Sequence, residues 1–289
     1  MIDLHTHTTY SDGTWDVKTL LENAQKTGIE ILSITDHDTV QAYKELETYD
    51  YSEYFSGKLI NGCEFNCIFN GVKIELLGYN FNITPIDKWL KEYYSINNVK
   101  MRMQKEFDLL YKLCKKKGIT VSENLEYHFG KEYPIDQIFY DVKKYPENEV
   151  KFDLEAWENP GIFYRSCTTD KNFILYYAFN EVLPQAEEIS RLIRGNGGKV
   201  FLAHLYQYSI SQEEEFLEGI VASGIIDGVE VYHSGFNNTQ TEFLEKYCKK
   251  HNLLMSGGTD CHGGKKPERK LGVGYGNMNI NKEIIKNWM

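Results

Sequence analysis

Apolar residues along this chain come in short runs, separated by stretches in which they recur every third or fourth position. Ile2 to Leu4 reads as a strand. Val17, Leu20, Leu21 and Ala24 then share one face at helical spacing, with Thr14 placed to cap that helix and Gly28 to end it. Ile29 to Ile34 is the next strand, residues 40–49 suggest a helix, and Lys58 to Ile60 leads toward Glu64. Asn70-Gly71 is a two-residue hairpin signal before a strand over Val72 to Tyr79. The rhythm resumes near Val182 with a helix to about Arg194, then strands over Lys199 to Ala203, Gly228 to Tyr232 and Leu253 to Gly257, separated by helices over 213–223 and 239–251. Repeated strand and helix units predict an α/β fold. We expect a distorted (β/α)7-type barrel of parallel strands, closed or nearly so, with its functional face at the strands' carboxyl ends.

Residues 84–181 break this rhythm. A long helical stretch runs through Lys117, and the rest is rich in tyrosine, phenylalanine and acidic residues with weak periodicity. The expected organisation is a barrel built from 1–83 and 182–289, with 84–181 inserted as a mainly helical cap over the functional face. Tyr127, Phe129, Tyr133, Tyr140 and Tyr164 in the cap are candidates to stack on a base, although most such aromatics simply build a core.

Composition narrows the function classes. The net charge of −10 argues against a broad surface for long nucleic acid, where affinity comes mainly from lysine and arginine. No apolar run is long enough to span a membrane, and no basic stretch with an apolar segment precedes the first strand, so a cytoplasmic location is expected. The six cysteines include no C-x-x-C pair and are most simply reduced thiols.

The chemistry lies in short strings of metal-ligand residues that follow the apolar runs. They are D-L-H-T-H (His5, His7), Y-S-D-G-T (Asp12), I-T-D-H-D (His37), N-G-C-E-F (Glu64), L-A-H (His204) and G-G-T-D-C-H (Asp260, His262). Imidazoles and carboxylates in this mixture bind divalent metals of intermediate hardness, and H-x-H on extended backbone points both rings to one side. The same alternation turns Cys261 away, so it is read as structural. His5, His37, His204 and His233 each close an apolar run, which scattered surface histidines would not do. If Asp12, Glu64, Glu75 and Asp260 all bind, about −4 of carboxylate charge meets about +6 from three divalent ions. Such a site attracts phosphate inside an acidic protein.

These strings, with L-L-G-Y, G-G-K-V-F-L-A-H, G-V-E-V-Y and the Lys266-Pro267 that follows the last pair, resemble the PHP (polymerase and histidinol phosphatase) superfamily, nearest its stand-alone phosphoesterases. The resemblance covers the barrel at both ends but not the insertion. It implies a distorted barrel holding two or three divalent ions, manganese, iron or zinc, and hydrolysis of phosphate esters. By the resemblance, His5, His7, Glu64 and Asp260 would hold one ion, and Asp12, His37 and His262 a second. The third would share Glu64 and take His204, together with position 75, where relatives typically have histidine and this chain has Glu75. Glutamate is a harder ligand, which favours manganese, magnesium or iron(II) over zinc; alternatively Glu75 pairs with Lys73. His128 in the insertion is another candidate to complete the third site, and a surface role is its alternative.

A second departure is A-H-L-Y-Q, where many relatives carry A-H-P and soon afterwards arginine; Gln207 cannot supply that charge. Arg165, Lys266 and Arg269 are the candidates to hold substrate phosphate instead. His233 is the candidate to protonate the leaving oxygen or orient the phosphate. The expected nucleophile is a metal-bound hydroxide, and neither a nucleophile elbow nor a phosphate-cradling glycine loop is present. The leading expectation is therefore a phosphatase acting on a nucleotide or other small phosphorylated metabolite. The alternatives are a 5′ to 3′ exonuclease on short RNA or DNA ends and a histidinol-phosphate phosphatase, whose corresponding segment usually carries histidine near the glycine. A non-catalytic metal-binding module would have lost several ligands, whereas eight of nine expected positions are filled here.

Overall fold

The computed structural model describes residues 1–177, 182–208, 210 and 212–289; the last four positions of the expected cap, 178–181, lie outside it. Seven strands form one sheet in chain order: β1 Ile2–Asp3, β2 Ile31–Ile34, β3 Lys58–Phe69, β4 Val72–Tyr79, β5 Lys199–Leu202, β6 Gly228–His233 and β7 Leu254–Gly258. The last strand meets the first where Leu4 N donates to Gly257 O (3.1 Å) and His7 N to Cys261 O (2.9 Å), which bends the sheet into a barrel.

The strands are not all parallel, as the repeat of units had suggested. β4 runs antiparallel to both β3 and β5. The reason is local: Asn70 and Gly71 both have positive φ, 48° and 79°, the two-residue turn that reverses a chain directly, with Phe69 opposite Val72. β3 is also longer than its apolar start implied, because its upper half leaves the barrel wall with β4 as a hairpin.

The helices are α1 Val17–Thr27, α2 Gln41–Leu46, α3 Ile83–Tyr93, α4 Ile96–Lys116, α5 Pro134–Val142, α6 Leu154–Glu158, α7 Pro160–Thr169, α8 Ala186–Gly195, α9 Glu213–Ala222 and α10 Asn238–His251. α1 is capped by Asp16, not Thr14: its carboxylate accepts from Thr19 N at 2.8 Å. Thr14 instead ties the first ligand loop to the last, accepting from Gly264 N (2.6 Å) and donating to His262 O (3.2 Å). None of the described helices is long and apolar enough to cross a membrane.

The two-residue period of the strands sorts side chains into two cores. Val200 and Leu202 of β5, with Val229 and Val231 of β6, face the surrounding helices and join Leu20, Leu21, Ile189 and Ile193. Phe201 and Ala203 face the other way and meet Ile2, Leu4, Leu77 and Tyr79 in the barrel interior. Ile280, Ile285 and Trp288 from the chain's end close that interior, with the Trp288 ring 4.9 Å from Phe201. The metal-ligand residues lie above this plug.

A third apolar cluster belongs to the insertion. Phe107, Leu110, Ile138, Phe139, Trp157 and Phe163 pack together and reach the barrel through Ile68 on the β3 hairpin. α3 does not belong to it: Ile86 and Leu90 pack into the barrel's outer core, so a cap beginning at residue 84 cuts through a barrel helix.

Candidate metal centre

His5 and His7 alternate on backbone that continues β1 and bridges to β7 through Thr6 and Cys261, and their rings lie 5.2 Å apart on one side. His37 leaves the end of β2 and bridges Glu64 in β3. His204 follows β5, His233 closes β6, and Asp260 and His262 follow β7. The glycines in these motifs permit close approach. A Cβ on Gly258 would stand 2.3 Å from His5 N, and one on Gly13 2.4 Å from His7 O.

Glu64 is the hub. Its Oε2 is 3.3 Å from both His5 Nε2 and His7 Nε2 and 3.1 Å from His37 Nδ1, while Oε1 is 2.8 Å from His204 Nε2. Asp260 Oδ1 lies 3.2 Å from His7 Nε2 and 3.3 Å from His262 Nδ1. Asp12 Oδ1 lies 3.1 Å from His262 Nε2 and 3.8 Å from His37 Nε2. Three groups have ligand atoms mutually within 4.8 Å: His7, Asp12, His37 and His262; His5, His7 and Asp260; His5, Glu64 and His204.

These residues suit cations for a reason beyond proximity. His5 Nε2, His7 Nε2, Asp12 Oδ1, His37 Nδ1, His204 Nδ1 and His233 Nε2 are buried and accept or donate no hydrogen bond among the described residues. Each such atom left unpaired costs roughly 1–3 kcal/mol, and native proteins rarely gather them without a ligand to satisfy them.

Protonation favours the same reading. Burial depresses His37 and His262 to about 4, leaving both imidazoles neutral near pH 7. Burial works against the Glu64 anion, but the facing His37 and His5 hold its carboxyl well below the usual range. His5 is the exception: burial would depress it, yet Glu230 and Glu64 outweigh burial and push it up to about 10, so it carries a second proton that an ion would have to displace from Nε2. Neutral imidazoles and ionised carboxylates are the forms that bind metal.

Three buried acids that the motif reading did not assign hold the candidate ligands in place. Glu230 accepts from His5 Nδ1 (2.8 Å) and from His204 N (2.8 Å). Asp36 accepts from Thr8 N, Thr8 Oγ1 and Ser11 Oγ at 2.6–2.7 Å, fixing the loop that carries Asp12. Asp3 accepts from Thr259 and Gly272, fixing the turn before Asp260. Glu230 had a signal in the sequence. In G-V-E-V-Y it alternates with Val229 and Val231, so an acid must point into the barrel interior.

A family model described as the PHP domain matches residues 3–270. The chain belongs to the PHP family. The PHP chain is 24% identical to the 5′-3′ exoribonuclease of Haemophilus influenzae over 271 residues, 90% of this chain and 89% of that protein. It is 34% identical to the 5′-3′ exoribonuclease Rnm of Escherichia coli over 82 residues, 28% of each. Two solved structures share its fold. One, described as a metal-dependent phosphoesterase from Bifidobacterium adolescentis, has a TM-score of 0.62 at 23% identity, covering 99% of this chain and 94% of that one. The other, an amidohydrolase from Chromobacterium violaceum with bound sulfate, has a TM-score of 0.60 at 16% identity, covering 94% and 89%.

The remaining candidate residues of this PHP chain fall at the edge of the cluster or away from it. Glu75 divides its carboxylate, with Oε1 3.4 Å from Lys73 Nζ and Oε2 4.0 Å from His204 Nε2. Lys266 Nζ lies 3.4 Å from Asp260 Oδ2 and 3.2 Å from His262 Nε2, and Arg269 pairs with the same Asp260 oxygen while its buried Nε has no partner. His233 accepts from Gly235 N at Nδ1 (3.0 Å), which leaves the proton on Nε2, 3.5 Å from Asp260 Oδ2. Arg165 is not brought here. It is exposed and lines a different cavity, because that face of α7 looks toward the β3–β4 turn at Asn70 and toward α9 rather than toward the ligand cluster. His128 is likewise exposed on the insertion. Of the five aromatics, Tyr133, Tyr140 and Tyr164 line the space between insertion and rim; Tyr127 packs on Phe107, and Phe129 lies under Lys100 on the surface.

Proposed function

We propose that this PHP protein is a metal-dependent phosphatase acting on a nucleotide or other small phosphorylated metabolite. One observation carries the reading: six imidazoles and three carboxylates converge at one barrel rim with buried nitrogens unpaired, and Lys266 and Arg269 stand beside them. His5, His7, Glu64 and Asp260 would hold one ion and Asp12, His37 and His262 a second, with His7 close enough to serve either. His204, Glu64 and Glu75 would hold a third. Divalent manganese, iron or zinc supplies Lewis acidity there, lowering the pKa of water and neutralising charge on phosphoryl oxygens.

The chain's own groups do the rest. Arg269 has an unused Nε–H, and with Lys266 it supplies the positive charge for a phosphate oxygen that Gln207 does not. His233 is buried, which depresses its pKa, so it is neutral and holds its proton at Nε2 facing the cluster. There it can donate a hydrogen bond to the phosphate or its leaving oxygen. The insertion acts as a cap that bounds the substrate on the side away from the barrel.

Manganese-loaded protein should hydrolyse p-nitrophenyl phosphate. A panel of nucleoside 3′,5′-bisphosphates, histidinol phosphate and 5′-phosphorylated dinucleotides then places the substrate. No turnover of any of these after metal reconstitution would overturn the reading. The match along 90% of the chain to a 5′-3′ exoribonuclease favours a second reading, removal of nucleotides from short RNA ends. Preference for the dinucleotides over the monophosphates would select it.

A further inference from the structure

A cavity of about 740 Å³ lies between the barrel rim and α4, α5 and α7 of the insertion. It adjoins the candidate metal centre through neighbours of the ligands: Asp38, which directly follows His37, and Lys73, 3.4 Å from Glu75, are on its wall. Tyr133, Tyr140 and Tyr164 give it flat apolar surface. The wall built by α4 and α5 carries two acids, Glu106 and Asp136, and one cation, Arg102, whose guanidinium is taken up by the Tyr93 ring and carbonyl. Glu106 is only 7% exposed. It accepts from Tyr177 OH through Oε1, and among the described residues no protein donor reaches Oε2 and no lysine or arginine pairs with either acid. A carboxylate in that position is costly unless a donor meets it.

We propose that Glu106, with Asp136 beside it, determines leaving-group specificity by selecting nucleotides whose base presents an amino group to the cavity. The inference rests on the reading that the substrate is a small nucleotide. The tyrosines cannot discriminate, because every base has a π face and stacking is tolerant of base identity. The acids can. Adenine, cytosine and guanine each carry an exocyclic amino donor, whereas uracil offers one N–H between two carbonyl oxygens, which a carboxylate repels. Lys73 is near enough to Glu106 to affect its ionisation, and it also touches Glu75 at the metal centre. The acid and the cluster are therefore separated by a few side chains, a span suited to a single nucleotide.

The test is calorimetric titration, at pH 8.5 where Glu106 is ionised, of adenosine and of uridine into the manganese-loaded full chain, which needs no turnover. Adenosine should bind at least about 10-fold more tightly, the discrimination given by one hydrogen bond to a charged group. Glu106→Gln should reduce the preference to within about 3-fold, and Asp136→Asn, at a more exposed position, should reduce it in part. Equal affinities in the unaltered protein, binding of neither nucleoside, or a preference that survives both substitutions would overturn the proposal. Turnover of p-nitrophenyl phosphate, which carries no base, decides the hydrolase reading separately.

Discussion

Replacing Glu230 by glutamine tests whether the cluster is organised for metal. Glu230 is fully buried, and its two oxygens accept from His5 Nδ1 and His204 N, each at 2.8 Å. Burial opposes its ionisation, but the charge of His5 holds its carboxyl below the usual range, so it is an acceptor at both oxygens. With an ion bound, His5 would keep its proton at Nδ1, on Glu230, and give up the one at Nε2, whose lone pair would then face the ion on the side of Glu64 and Asp260. Glutamine keeps the volume but has one acceptor and one donor end. If its oxygen takes His204 N–H, its amide faces His5 Nδ1 and imposes the tautomer whose Nε2–H blocks the metal. If it is flipped, two donors face each other and one is left buried without a partner. Either arrangement costs about 1–3 kcal/mol, so manganese affinity should fall roughly 10- to 100-fold. Competitive chelation titration reads the dissociation constants, with near-UV circular dichroism confirming the fold. An unchanged affinity in a folded variant would refute the claim that Glu230 sets the His5 tautomer.

Four further outcomes are expected. Asp260→Ala should abolish phosphatase turnover while far-UV dichroism stays unchanged; retained turnover would reject the cluster. EDTA dialysis should lower the melting temperature and manganese restore it, since an ion at 100 times its dissociation constant adds about 2.7 kcal/mol per site; a melting temperature indifferent to both would count against metal binding in the native state. Burial raises Glu106 to about 7 against the opposing bond from Tyr177, so its stabilisation is full below about pH 4.5 and lost as pH rises through 7, about 3 kcal/mol in all. Urea unfolding should therefore show Glu106→Gln gaining on the unaltered protein between pH 5 and 8, and parallel pH curves would contradict this. Lys73→Met frees the Glu75 carboxylate for the third ion, so more metal should survive desalting, read by elemental analysis; an unchanged metal content would mean Glu75 is not a ligand.

The cluster of candidate metal ligands was legible because each of its members follows its own apolar run. A strand end sets the direction of the next one or two side chains, so D-L-H-T-H or G-G-T-D-C-H can be read without knowing what lies opposite. The partners of those ligands depend on contacts that no local pattern encodes: His5 and Glu230 are 225 positions apart. The reversed β4 was within reach, because Asn70-Gly71 announced a hairpin, but the surrounding strand and helix repeat argued for parallel strands, and the local turn prevailed. In the insertion, most aromatics point into their own core, and periodicity could not separate Tyr127, on Phe107, from Tyr164, on the cavity wall. Arg165 was misplaced for the same reason, since a lone cation on a short helix gives no clue to which side that helix packs. The barrel thus carries its candidate ligands in motifs, whereas the proposed selectivity of the insertion rests on packing. This explains why the family is readable from sequence and the substrate is not. It also locates the experiment that would identify the substrate: substitutions on the insertion side of the cavity, at Glu106 and Asp136, should change which nucleotide is used, whereas those at the rim should change whether any is hydrolysed.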